Sequence, residues 1–312
     1  MKNAYIKKRF SRSSLAIIES SNAIIEEYME QGYDLTLRQI YYQHVARDSF
    51  PEDRKFKWTG SKWVRDPKGT KNADPNYKWL GSIINDARLA GLIDWKAIVD
   101  RTRNFKSLSH WESPADILRS AAESYGIDTR IDQHDYVEVW VEKDALVGVI
   151  EQACDPLDVG YMSCRGFVSQ SEMHAAALRF IKKEWLQEGA FLIHLGDHDP
   201  SGIDMTRDIQ DRLKMFGSSV EVERIALTMD QIDEYQPPPN PAKTTDSRYA
   251  SYRDVYGDDS WELDALDPRV LTELITRSVG SHTQDEKRRK RIREQERDRK
   301  KIMKLAITWE GK

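Results

Sequence analysis

YVEVWVEKDAL at residues 136–146 and FLIHLGDHDPSG at residues 191–202 decide the fold of this 312-residue chain. Each opens with a short run rich in β-branched and aromatic residues and then breaks abruptly into charge, which predicts strands over residues 136–141 and 191–195. Working outward, helical patterning follows at 144–153, a strand at 159–164, a helix at 171–188, a helix at 203–216 and a strand at 220–225. Strands alternating with helices predict a parallel α/β sheet. In such sheets the reactive groups stand just past the carboxyl ends of the strands. Glu142 follows the first strand directly, and Asp197 and Asp199 follow the third. All three carboxylates are therefore expected at one edge of the sheet.

Carboxylates gathered at one edge repel one another unless a cation neutralises them. Hard divalent cations take oxygen ligands, and Mg2+ uses one or two carboxylates together with waters and phosphate oxygens. The expectation is a Mg2+ site, with Mn2+ as a substitute, formed by Glu142, Asp197 and Asp199 and suited to phosphoryl-transfer chemistry. A plain turn at Asp199-Pro200-Ser201-Gly202 is the alternative. His194, inside a strand, reads as a core histidine. His198, within the D-x-D, is a lesser candidate.

The N-terminal part reads differently. Residues 14–31 have helical spacing, Thr36 is a plausible N-cap for a helix reaching residue 48, and a third helix is expected over 78–90. Between them, residues 51–80 are punctuated by Pro51, Gly60, Pro67, Gly69 and Pro75 and carry Phe56, Trp58, Trp63, Tyr77 and Trp79 among eight Lys/Arg. This is expected to be a loop or β-wing whose aromatics either lie on DNA or pack back on the body. Short helices followed by a wing suggest a winged-helix-like domain. In TLRQIYYQ (residues 36–43), Leu37, Ile40, Tyr41, His44 and Val45 form one apolar stripe at about 100° per residue. Tyr41 reads as a core aromatic whose hydroxyl packing does not need. Tyr42 falls off the stripe and is expected on an exposed face with Arg38, four residues earlier. Asn85, Asp86, Arg88, Arg101 and Arg103 are further candidates for phosphate contacts.

VEKDAL, CRGFVSQSE and LGDHDPSGIDM, in that order, are similar to the Toprim half of the topoisomerase VI A subunit and its meiotic double-strand-break relatives. TLRQIYYQ resembles the motif that carries that family's nucleophilic tyrosine, with Gln39 in place of the usual acid. The resemblance covers about residues 14–280 and is weakest at 51–80. It implies a DNA-cleaving transesterase in which Tyr42 forms a phosphotyrosine link, Arg38 supports the developing charge, and Glu142, Asp197 and Asp199 hold the metal. It further implies double-stranded DNA as partner, a homodimer in which the tyrosine of one subunit meets the metal of the other, and a separate ATPase subunit, since no P-loop is present. A hydrolytic Toprim-type nuclease with Tyr42 incidental, and a non-catalytic DNA-binding module, remain alternatives. WELDAL (residues 261–266) adds Glu262 and Asp264, which are not assigned to the metal. The proline-rich loop 235–248 is expected to position a neighbour.

Net charge is −4, from 48 Lys/Arg and 52 Asp/Glu. Residues 287–304 alone hold eleven Lys/Arg and three Asp/Glu, a local +8 that leaves −12 on the rest. The tail is expected to be a solvated helix making non-specific phosphate contacts. With 39% hydrophobic residues the chain can bury real cores, which excludes wholesale disorder. Two cysteines, no apolar leader and no long apolar run point to a reducing, cytoplasmic and nucleoid-associated setting. The expected organisation is a winged-helix-like α+β domain over 1–110, a connector over 111–135, a Toprim-like parallel α/β domain over 136–280 and a basic tail over 281–312.

Overall fold

The structure, a computed structural model, describes residues 2–99 and 108–310. Arg101 and Arg103 lie outside them. The N-terminal helices begin where the sequence offers caps. Ser11 caps α1 (Arg12–Met29) and Thr36 caps α2 (Leu37–Ala46). At α2 the cap is reciprocal: the Gln39 amide donates to Thr36 Oγ1 at 3.3 Å and the Thr36 amide to Gln39 Oε1 at 2.8 Å. Gln39 thus closes a capping box, a role open to Gln and Glu alike. The expected wing is a hairpin of β1 (Phe56–Trp58) and β2 (Trp63–Arg65), paired antiparallel with Trp58 opposite Trp63. α3 (Asp74–Leu89) starts four residues before the expected position because Pro75 fits the first helical turn, where its missing N–H is not needed. α4 (Pro114–Ser124) starts where Ser113 caps it and Pro114 fills the first helical position.

The sheet follows: β3 (Asp135–Val141), then α5 (Val147–Cys154), β4 (Gly160–Ser163), α6 (Gln170–Glu184), β5 (Gly189–Leu195), α7 (Pro200–Met215) and β6 (Glu221–Ala226). All four strands are parallel, in the order β4-β3-β5-β6. The mixed α/β class read from the sequence is therefore present. Beyond β6 come α8 (Met229–Tyr235), α9 (Tyr249–Tyr256), which lies between the short paired strands β7 (Asn240–Pro241) and β8 (Asp259–Ser260), and α10 (Pro268–Ser281). Sequence patterning does not resolve these. The basic tail is α11 (Asp285–Glu310).

Side chains alternate across a strand. Val137, Val139 and Val141 of β3 therefore face one side of the sheet, and Trp140 the other. The valine side joins a single apolar core that also contains Ile18 of α1, Ile40 of α2, Leu80 of α3 and Ile275 of α10. The Trp140 side packs on Phe180 and Ile209. Glu138, buried among these, is matched by Arg179 at 2.6 and 2.9 Å and by the Tyr136 hydroxyl and Trp140 indole. The N-terminal helices are also tied to α10 by hydrogen bonds, from the Tyr28 hydroxyl to Asp267 (2.7 Å) and from the Tyr33 hydroxyl to Thr272 (3.0 Å).

α11 lies along α4 and the segment before β3. Gln295 accepts from the Ile127 amide, Arg299 donates to the Tyr125 carbonyl, and Arg291 pairs with Asp132. Lys290, Arg293, Arg297, Lys300 and Lys304, at alternating spacings of three and four, form an exposed basic stripe. Among the described residues no helix is long and apolar enough to cross a membrane.

Candidate active site

A cleft of about 1100 Å3 opens at the carboxyl edge of the sheet. Glu142, Asp197 and Asp199 all line it, and so do Arg38 and Tyr42 from α2. The cleft thus brings together within one chain all five residues expected to carry the chemistry.

The loop after β5 sets the carboxylates. Glu142 accepts a 2.9 Å hydrogen bond from the Asp197 amide. Asp197 accepts from the Leu263 amide at 2.8 Å and meets the Lys143 ammonium at 3.0 Å. Asp199 is the N-cap of α7 and accepts from the Gly202 amide at 2.6 Å. Gly202 is required by space: a Cβ there would stand 2.2 Å from the Asp197 carbonyl oxygen and 3.0 Å from Glu142 Oε2. Arg224, from the middle of β6, clamps the loop from behind. Its guanidinium donates to the carbonyls of Gly196 (2.8 Å), Asp197 (2.7 Å) and Gly202 (3.0 Å).

A second acidic pair faces the first. Lys143 Nζ lies 2.9 Å from Glu262 and 3.0 Å from Asp264, as well as from Asp197. One ammonium therefore serves three carboxylates. Arg38 joins the network through Glu262 at 2.8 Å and, more distantly, Asp264 at 3.9 Å.

Protonation follows from burial and neighbours. Burial, with help from Glu142 and Asp264, outweighs Lys143 and pushes Asp197 up to about 8. Burial and the nearby Asp199 also raise Glu142. Burial would raise Glu262 too, but the Lys143 and Arg38 cations prevail and hold it at about 2.

The structure corrects the surface assignment of Tyr42. Its side chain is only 2% exposed. α2 has no free face at this point, because the Glu262–Asp264 segment covers the side that α1 and α3 leave open. Burial, followed by the charges of Asp264 and Glu262, raises the Tyr42 pKa further above the ordinary phenol value. Tyr41 is corrected as well: its ring is core, but its hydroxyl is used. It donates to Asn72 Oδ1 at 3.0 Å and accepts from the Ala73 amide at 2.7 Å.

Other expectations resolve by place. His194 is fully buried and bonds Thr206 through Nδ1 at 2.8 Å, a core histidine as read. His198 turns away from the carboxylates to the Tyr252 hydroxyl at 2.9 Å. Arg88 donates inward to the Trp95 carbonyl at 2.7 Å, and Asp86 pairs with Lys8. In the wing, Phe56 is buried and Trp79 packs on the core, whereas Trp58 and Trp63 line the cleft. Loop 235–248 does position a neighbour, since the Asn72 amide donates to the Pro239 carbonyl at 2.9 Å. Sequence reasoning missed Lys143 and Arg224. The signals were a cation directly after the strand-ending Glu142, and an arginine inside an otherwise sheet-like run.

Among the described residues, no three His, Cys, Asp or Glu side chains are gathered closely enough to grip a metal. The donor set nevertheless fits a hard cation. Glu142, Asp197 and Asp199 offer only oxygens, Glu142 and Asp197 are held above their usual carboxylate range partly by like charge, and all three open on one cleft. No family model matches the chain, and no curated protein and no solved structure matches it either.

Proposed function

We propose that the chain is a divalent-metal-dependent enzyme that cleaves DNA phosphodiester bonds at the carboxyl edge of its sheet. The observation that carries this is the carboxylate Glu142 held on the Asp197 amide, with the Asp197 and Asp199 carboxyls beside it in an open cleft. Glu142, Asp197 and Asp199 would hold Mg2+, which when bound supplies Lewis-acid charge at a phosphate and an acidified water. Arg224 keeps the loop in register through three carbonyls. Lys143 offsets the charge of Asp197, Glu262 and Asp264 and so lets these three carboxylates share one cleft with Glu142 and Asp199.

Water is favoured as the nucleophile. Tyr42 is buried, and that burial, together with the nearby Asp264 and Glu262 charges, raises its pKa. Arg38, the cation expected to support a phenolate, is committed to Glu262. In hydrolysis the water oxygen bonds to phosphorus and the bond to one sugar oxygen breaks. The leaving oxygen takes up a proton, giving a phosphate end and a hydroxyl end. One observation favours the covalent alternative: Tyr42 lines the same cleft as the carboxylates. There the phenolic oxygen would displace the sugar oxygen and keep the phosphate.

End-labelled DNA incubated with Mg2+, Mn2+ or EDTA and run on denaturing gels with and without protease separates the outcomes. Metal-dependent free ends are expected, abolished by Glu142→Gln and Asp197→Asn and retained in Tyr42→Phe. Label that enters the gel only after protease, and is lost in Tyr42→Phe, would establish the covalent route instead. Absence of metal-dependent scission in the unmutated protein would end the proposal.

A further inference from the structure

The β1–β2 hairpin forms part of the cleft wall. Its cross-strand pair Trp58 and Trp63 sits on one face with ring centroids 5.5 Å apart. Both indoles line the cleft together with Asp197 and Asp199. Phe56, on the same face two residues earlier, is buried and anchors the hairpin, and its backbone pairs with Thr70 in both directions at 2.8 Å. Trp58 is left 38% exposed. The pair thus offers indole surface to the cleft from an anchored hairpin.

Elsewhere in the cleft lining, Lys243 is exposed and has no carboxylate partner among the described residues, and it is followed by Thr244 and Thr245. The other cleft cations are committed: Arg38 to Glu262, Lys143 to three carboxylates and Arg165 to Asp144. The cleft therefore presents indole faces, one available ammonium with neighbouring hydroxyls, and the carboxylates. Stacked base pairs hide their faces inside a duplex, whereas an unpaired base offers its π-face to an aromatic side chain and its phosphate to a cation.

Resting on the cleavage function proposed above, we infer that the cleft takes an unpaired DNA strand. Its bases stack on Trp58 and Trp63, a phosphate sits at Lys243, and the scissile phosphodiester lies at the carboxylates. Duplex DNA would be a substrate only where it is frayed, gapped or tailed.

Binding can be read without cleavage. Full-length protein carrying Asp197→Asn is titrated into fluorescent oligothymidine and into a blunt duplex of equal length, by anisotropy. Trp58→Ala and Trp63→Ala are each expected to weaken oligothymidine binding about 5- to 150-fold, the range for loss of one stacked base. Duplex affinity should stay within about twofold. Trp58→Phe should restore most of the loss, which excludes a folding defect, and Lys243→Gln should lower affinity and flatten its salt dependence. Equal losses on both DNAs, or none on oligothymidine, would overturn the inference while leaving metal-dependent cleavage intact. Conversely, strand-selective, tryptophan-dependent binding without metal-dependent scission would retain this inference and remove the cleavage function.

Discussion

Two regions of the molecule carry dense charge. At the carboxyl edge of the sheet, Glu142, Asp197, Asp199, Glu262 and Asp264 share a cleft with Arg38 and Lys143, and Arg224 lies behind it. Asp264 is 1% exposed and Asp197 7%. On α11 many charges stand in solvent, and several pair only along their own helix: Arg289 with Asp285, Arg297 with Glu294, Lys301 with Asp298. Exposed pairs of this kind contribute about 0–1 kcal/mol each. Buried ions cost several kcal/mol apiece to desolvate and persist only where partners repay it. The two regions also lie at opposite edges. α11 is anchored to the chain entering β3, and the carboxylates follow its other end, seven residues or about 20 Å away. High charge density therefore means something different in each place. At the sheet edge the carboxylates are set by their neighbours; on the exposed stripe of the helix each cation acts nearly alone.

The sharpest way to break that contrast is Lys143→Met. It leaves Asp197, Glu262 and Asp264 without their shared cation, and removing one partner of a buried ion cluster costs about 3–5 kcal/mol. Chemical denaturation should show a loss of that size; an unchanged midpoint would mean the carboxylates are neutral without it.

A second test uses pH. Burial holds His44 at about 4 and His194 at about 3, below their unfolded values. Their contribution is present above about pH 6.5 and is lost as pH falls toward those folded values. Asp197, held at about 8, works the other way: its contribution is present below about pH 4 and is lost as pH rises through 8. Stability measured without metal should therefore peak near pH 6.5. It should decline above that as pH rises toward 8, where Asp197 ionises in the folded state. Asp197→Asn should remove the alkaline decline. A flat profile between pH 6.5 and 8 would show that Asp197 is ionised throughout.

The smallest effect on stability belongs to α11. Replacing Lys290, Lys300 and Lys304 with Gln should change stability by no more than about 0.5 kcal/mol. It should lower the slope of log affinity for DNA against log salt by about 0.9 for each phosphate that the variant no longer neutralises. An unchanged slope, or a large loss of stability, would make the helix structural.

The sheet was legible because strand and helix periods differ and because the charged residues that end each strand are conspicuous beside apolar runs. The start of α2 was legible from Thr36, although the function of Gln39 emerged only as the return half of its cap. The three metal-candidate carboxylates were legible from position alone, being tied to strand ends. Tyr42 was misjudged because a helical wheel describes one helix, and a second covering surface came from residues more than 200 positions away. Tyr41 was misjudged for a similar reason: Asn72 and Ala73, the partners of its hydroxyl, lie in a segment read only as a loop. Lys143 and Arg224 escaped because periodicity identifies where side chains point but not which carboxylate or carbonyl they will meet. Elements α8 to α10 were unread because they are short or carry weak apolar spacing.

The single apolar core that joins Ile18, Ile40 and Leu80 to Val139 and Ile275 has a consequence for how the molecule comes apart. A cut through the chain near residue 110 would strip that core of one side, so neither fragment would keep a complete interior. The β1–β2 hairpin and the acidic loop are thus inherited and lost together. In native-state hydrogen exchange, the slowest amides of α2 and β3 should open in the same cooperative event, as one foldon.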